Sequence, residues 1–214
     1  MEENQYPNKK RAIERKIVKK FIETPTNFLI SHHITPNILS YLGFLCSVAA
    51  AFFIAIGTVH YPIWLAWPAP FLIFMSGTFD VFDGEVARKL NKESSLGAFL
   101  DSNLDRLSDA ILIIGLIYGG LINYFIGYIL LFVVIMISYT RSRAEAEGIN
   151  MKGIGLMERG ERMLTLILGL ILETWIFVLT SFTLFFSFFI IIYLILLLYT
   201  LSQRIVYTYK ELKI

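Results

Sequence analysis

Three long stretches of this chain carry almost no charge, and they restrict the fold more than any other feature. No Asp, Glu, Lys or Arg occurs over 37–79 or over 110–140, and 163–203 is broken only by Glu173. Each stretch is long enough for more than one helical crossing of about 20 residues. A bilayer core offers no water to backbone polar groups, so such segments must satisfy their hydrogen bonds internally, as helices. Within 214 residues, 56% hydrophobic and 17% charged, little chain is left for a second domain. The expected fold is all-α: an integral membrane bundle of six transmembrane helices over 35–208, preceded by an N-terminal interfacial amphipathic helix within 1–24. The six spans are expected near 35–57, 65–90, 95–118, 123–146, 158–178 and 182–207.

Local signals set the boundaries. Residues 9–22 place Ile13, Ile17, Val18, Phe21 and Ile22 on one helical face with basic residues around the rest, the pattern of a helix lying among anionic headgroups. Pro25 is expected to end that helix. The N-terminus opens polar and then turns basic, so no cleavable signal peptide is expected. His32 and His33 lack a third ligand nearby and read as interfacial. Thr35 and Pro36 form a helix start, with proline at the first position where a missing N–H costs nothing. Trp64 and Trp67 mark a membrane interface. Cys46, the single cysteine, lies inside a span and reads as packing. With the N-terminus in the cytoplasm, all 19 Lys and Arg fall on that side, as the positive-inside rule requires. Both termini and the acidic region described next are then cytoplasmic, in a multi-pass protein of the cell membrane.

Residues 80–105 interrupt the apolar sequence with four aspartates: Asp80, Asp83, Asp101 and Asp105. Asp80, Asp83, Gly84 and Ala87 share one stripe of a helix, and Gly97, Asp101 and Asp105, spaced by four, share a face of the next. The turn 91–95 is short, so the two helices must run antiparallel and their acidic faces can meet. Charged groups at bilayer depth cost about 2.5–3.5 kcal/mol each on insertion scales and tend to mark function. Four carboxylates drawn together need positive charge between them. One or two hard divalent cations, Mg²⁺ or Mn²⁺, answer that need with oxygen ligands.

The spacing Asp80-x-x-Asp83-Gly84-x-x-Ala87-Arg88, eight residues, then Gly97-x-x-x-Asp101-x-x-x-Asp105 resembles the signature of the CDP-alcohol phosphatidyltransferases at all eight defined positions. The resemblance implies an enzyme that binds a CDP-linked lipid, holds its pyrophosphate with divalent metal and lets an acceptor hydroxyl displace CMP. By that likeness Asp80, Asp83 and Asp101 are metal ligands. Asp105 shares the metal site, which in such enzymes would hold two ions about 4 Å apart, and is also the catalytic base. The CDP-lipid would lie against Asp80, Gly84, Ala87, Arg88, Gly97 and Asp101. The glycines and alanine permit close approach there, and Arg88 offers a planar fork to phosphate or carboxylate. Asp109, one turn beyond Asp105, lies outside the signature and has no assigned role.

A second cationic region bears on the acceptor. Arg141, Arg143, Arg159, Arg162 and Arg204 are expected on the same side as the aspartates, and guanidinium groups bind phosphate bidentately. Ser138, Tyr139, Arg141, Arg143, Ala144 and Glu145, followed by Glu158, Arg159, Glu161 and Arg162, resemble the branch of the family that uses inositol phosphate. The departures are Gly160 where proline is common and Arg141 where lysine is common. The implied reaction is transfer of a phosphatidyl or archaetidyl group to L-myo-inositol 1-phosphate, with general likeness leaning to an archaeal-type lipid. Glycerol phosphate, serine or a soluble inositol-containing solute are alternative acceptors. A divalent-cation transporter is the alternative from another class, although its acids should sit nearer the membrane midplane. Substrates, membrane lipids and a second copy of the chain are the expected partners, the last because such enzymes are commonly homodimers. No nucleic-acid partner is expected.

Overall fold

In the computed structural model, residues 22–60, 63–92 and 94–213 are described. All secondary structure among them is helical. Helix α1 covers 22–31. It is followed by α2 (Pro36–Ala55), a 3₁₀ turn (Thr58–His60), the one-turn α3 (Ile63–Ala66), α4 (Pro68–Lys89), α5 (Ser95–Tyr118), α6 (Tyr124–Ala146), α7 (Arg159–Thr180) and α8 (Phe185–Glu211). The proposed amphipathic helix at 9–22 lies almost wholly outside the described residues. Pro25 does not end a helix: it sits inside α1, in the first described turn, where the N–H it lacks has no partner within 22–31. Thr26 Oγ1 donates to the Ile22 carbonyl at 2.7 Å in the same turn. His33 closes α1 in the left-handed region, φ 57°.

Helix boundaries follow from local chemistry. Pro36 occupies the first turn of α2 and Pro68 that of α4, positions whose N–H would be unpaired anyway. Thr35 holds the cap position of α2 with extended backbone, but its side chain makes no capping hydrogen bond. Ser94 Oγ accepts from the Gly97 N–H at 3.0 Å to start α5, and Asn123 Oδ1 accepts from the Ile126 N–H at 2.9 Å to start α6. Asn91, at φ 51°, makes the turn between α4 and α5; asparagine adopts this conformation more readily than most residues.

Among the described residues, five segments are long and apolar enough to cross a membrane: Pro36–Ala55, Trp64–Lys89, Tyr124–Ala146, Arg159–Thr180 and Phe185–Glu211. They leave Phe52, Phe71, Phe132, Leu168 and Phe188 more than half exposed, a surface that suits lipid rather than water. The chain is therefore a multi-pass membrane protein. Helix α5 matches these segments in length but carries Asp101, Asp105, Arg106 and Asp109, too much charge to qualify on composition.

Contacts fix the helix directions. Ser40 meets Asp83 and Ser47 meets Ser76, so α2 and α4 are antiparallel. A Cβ on Gly115 would lie 2.8 Å from the Ala51 carbonyl oxygen, and one on Gly119 only 2.3 Å from that of Ile54. These glycines let α5 run parallel to α2 at a separation no larger side chain allows. Helix α6 packs against α5 and α8, and α7 against α4 and α8. The core between them contains Ile54, Ile73, Leu116, Leu130, Ile137, Leu170 and Leu197. One end of the bundle thus gathers the starts of α2, α5 and α7 and the ends of α4, α6 and α8. At the opposite end, fully buried Glu173 lies 2.8 Å from His60 Nε2 and accepts the Phe186 N–H at 2.8 Å.

Candidate active site

Asp80 and Asp83 lie in the last three turns of α4, and Asp101 and Asp105 in the first three of α5. Carboxylate oxygens of Asp80, Asp101 and Asp105 all come within 4.8 Å of one another. The three side chains are half-buried. Their oxygens form a hard donor set of the kind magnesium, manganese and calcium take, so these residues fit a divalent ion.

Asp83 is placed differently. It is buried, 7% exposed, and its Oδ2 accepts from Ser40 Oγ of α2 at 2.6 Å. It faces an open cavity of about 240 Å³, whose lining includes six of the eight signature residues: Asp83, Gly84, Ala87, Arg88, Gly97 and Asp101. Pro36, Asn37 and Ser40 of α2 and Lys92 and Ser94 of the α4–α5 turn complete much of the wall. Asp80 and Asp105 line a smaller adjoining cleft with Ser76, Ser108 and Arg159, and Asp83 and Asp101 border both spaces. A Cβ on Gly84 would meet nothing closer than the Arg88 guanidinium at 3.6 Å, so that wall is open to a ligand. Arg88 itself is exposed and donates to Glu85 at 2.8 Å.

The five arginines occupy separate positions. Arg159, the first residue of α7, sets Nη1 2.7 Å from Asp80 Oδ1 and 2.7 Å from Asp105 Oδ1. Arg162, one turn further on, pairs with Asp109 at 2.6 Å, with both side chains at least nine-tenths buried. Arg204 is buried and donates from Nε to the Ile154 carbonyl and from Nη1 to the Ile137 carbonyl, each at 2.9 Å. It helps hold the α6–α7 loop, whose Leu156 and Met157 N–H groups bond to Gln203 and Thr200 of α8. Arg141 and Arg143 are exposed and pair along α6 with Glu145 and Glu147.

Sequence reasoning overlooked Asn37 and Ser40. Their signal was present: Asn37, Ser40 and Ser47 repeat at intervals of three and seven, a polar stripe on an otherwise apolar helix. Reasoning from sequence also put Arg159 with the other arginines rather than among the aspartates, and left Asp109 without its partner Arg162.

Residues 33–208 match the sequence profile of the family described as CDP-alcohol phosphatidyltransferase. An archaetidylinositol phosphate synthase of Methanothermobacter thermautotrophicus is 32% identical over 203 residues, covering 93% of this chain and 94% of the relative. One from Pyrococcus horikoshii is 35% identical over 152 residues, covering 71% and 77%. Among solved structures, Mycobacterium tuberculosis phosphatidylinositol phosphate synthase in complex with manganese and citrate superposes with a TM-score of 0.73. It shares 25% identity, with 88% of each chain covered.

Proposed function

The chain belongs to the CDP-alcohol phosphatidyltransferase family, and on that premise we propose that it transfers the lipid-phosphate group of a CDP-linked lipid to inositol phosphate, releasing CMP. The observation that carries this reading is the convergence of Asp80, Asp101 and Asp105 beside a cavity lined by six signature residues. The relatives named as archaetidylinositol phosphate synthases favour inositol phosphate as acceptor and an archaetidyl group as cargo.

In this reading the acceptor's hydroxyl oxygen forms a new bond to the phosphorus that carries the lipid. The bond from that phosphorus to the bridging oxygen of CMP breaks, and CMP leaves with the electron pair. Asp105 takes the hydroxyl proton. A divalent ion held by Asp80, Asp101 and Asp105, with Asp83 and a second ion beside them, would neutralise charge on the pyrophosphate. Asp80, Gly84, Ala87, Arg88, Gly97 and Asp101 would receive the CDP-lipid, whose diphosphate the 240 Å³ cavity can admit. Ser40 holds the Asp83 carboxylate in one orientation. Arg141, Arg143, Arg159, Arg162 and Arg204 would form the cationic surroundings of the acceptor phosphate. Arg141 and Arg143 have exposed guanidiniums paired, among the described residues, with Glu145 and Glu147, contacts weak enough to open for an incoming phosphate.

Helix α5 would be the sixth span, its charged first half shielded by α2, α4 and α7. The basic residues then favour a cytoplasmic site and cytoplasmic termini, and a homodimer fits the extensive exposed apolar surface. The site lies near one end of the helices, which speaks against a transport site at the midplane. The test is CMP release from CDP-archaeol or CDP-diacylglycerol by purified protein with Mg²⁺ or Mn²⁺, offered each acceptor in turn. Turnover with inositol phosphate supports the assignment. Turnover with glycerol phosphate alone would replace the acceptor, and no CMP from any acceptor would refute the reaction.

A further inference from the structure

Arg159 stands among the acids in an unusual way. Its Nη1 is shared between Asp80 and Asp105 at 2.7 Å each. Yet neither Nη1 nor the buried Nε has an aligned hydrogen-bond partner among the described residues. A guanidinium that recognises a carboxylate normally does so with two parallel, aligned N–H bonds. Arg159 makes no such fork. It is held by charge, as a cation placed between two anions.

The two carboxylates it touches belong to the group of three that fits a divalent ion. An ion drawn to Asp80 and Asp105 would meet the guanidinium at the same two carboxylates, and two cations held so close repel strongly. We propose that Arg159 is an exchangeable counter-cation: it neutralises Asp80 and Asp105 in the metal-free protein and turns away when a divalent ion binds. This rests on reading the three aspartates as the metal site of the proposed transfer reaction.

The neighbouring turn of α7 shows how the exchange is confined to one side chain. Arg162, three residues on, is buried and fastened to Asp109 of α5 at 2.6 Å. Tyr193 OH, from α8, reaches the Arg162 carbonyl oxygen at 3.4 Å. The helix start is therefore pinned to α5 and α8 one turn below Arg159. Residue 159 itself opens the helix, next to the cleft, and its long side chain can rotate without moving the backbone. Arg159 consequently competes with metal, and removing its charge strengthens metal binding. An arginine that merely oriented the carboxylates for metal would have the opposite effect.

The test is isothermal titration of Mn²⁺ into full-length protein in detergent micelles, comparing wild type with Arg159→Gln, Arg159→Ala and Arg159→Lys. Far-UV circular dichroism and thermal melting report on folding of each variant. Competition predicts Mn²⁺ binding about tenfold tighter, 1.4 kcal/mol, in Arg159→Gln and Arg159→Ala, and close to wild type in Arg159→Lys, which retains the charge. Unchanged or weaker Mn²⁺ binding in both neutral variants overturns the proposal. CMP release by wild type is measured separately. Tighter Mn²⁺ binding without any CMP release leaves the exchange standing and removes the reaction; CMP release without tightening does the reverse.

Discussion

The Asp109–Arg162 pair should be among the most costly single contacts to break in this protein. Its atoms lie 2.6 Å apart, and the side chains retain only 10% and 5% of their exposure. At an effective dielectric of about 20, unit charges at that distance attract by roughly 6 kcal/mol, most of which offsets the desolvation of both groups. Asp109→Ala leaves the desolvation of Arg162 in place and removes the attraction, stranding a charge whose Nε already has no partner among the described residues. Breaking one side of such a buried pair costs about 3–5 kcal/mol, a fall of roughly 10 °C in the melting temperature of a domain this size. Replacing both partners, Asp109→Leu with Arg162→Leu, removes the buried charges together and should restore stability to within about 1 kcal/mol of wild type. Thermal melting of the wild type, both single variants and the double variant in one detergent gives the full cycle. A single Asp109→Ala variant melting with wild type, or a double variant that loses the sum of the two single losses, refutes the argument.

Other perturbations separate packing from chemistry. Asp105→Asn should lower the rate of CMP release by about 10²–10⁴ if the carboxylate is the base, with the melting temperature of the apo protein not reduced by a comparable amount. Gly119→Leu must displace the Ile54 carbonyl, which lies 2.3 Å from the site of the new Cβ. It should cost at least about 1–3 kcal/mol, seen as a lower melting temperature, and reduce CMP release because α5 carries Asp101 and Asp105. Ser40→Ala takes a donor from buried Asp83 and should cost about 1–3 kcal/mol in stability while raising KM for the CDP-lipid. Mn²⁺ at about 100 times its Kd should stabilise the protein by roughly 2.7 kcal/mol, read as a rise in melting temperature that EDTA reverses; no rise at saturating Mn²⁺ would argue against a metal held by Asp80, Asp101 and Asp105.

The α4–α5 hairpin was legible because its signals are local. A charge-free run, a polar turn at 91–95 and acids at spacings of three and four set two antiparallel helices and the end at which they meet. Ser94, the residue that caps α5, lies in that turn. The division of labour between Asp80 and Asp83 was not legible. Residues three apart on a helix differ by about 60° around its axis, enough for Asp80 to face α5 and α7 while Asp83 turns to Ser40 on α2. Which acid faces which neighbour depends on how far α4 is rotated within the bundle, and that is set by non-local contacts such as Ser47 with Ser76. The contacts of Arg159 and Arg204 were not legible for the same reason. Both sit in runs of basic residues at the expected end, but one reaches into the acid cluster and the other binds backbone carbonyls of the α6–α7 loop. Helix α5 was legible by its length and by its place between α4 and α6, while its charge keeps it out of the apolar segments long enough to cross a membrane.

That charge explains why a two-helix motif draws a residue from a third helix. Two carboxylates at the 4.8 Å limit of the cluster repel by about 3.5 kcal/mol at an effective dielectric near 20. Three such pairs amount to roughly 10 kcal/mol, comparable to the whole stability of a typical domain. The hairpin of α4 and α5 therefore cannot by itself keep Asp80, Asp101 and Asp105 ionised and together. The α7 start brings a guanidinium to the two carboxylates of Asp80 and Asp105. It anchors there through Asp109, an acid set one turn below Asp105 on the same face of α5. Asp109 thereby has a physical reason to exist outside the signature. It fixes the helix that supplies the counter-charge, and the acidic site can form before any metal arrives.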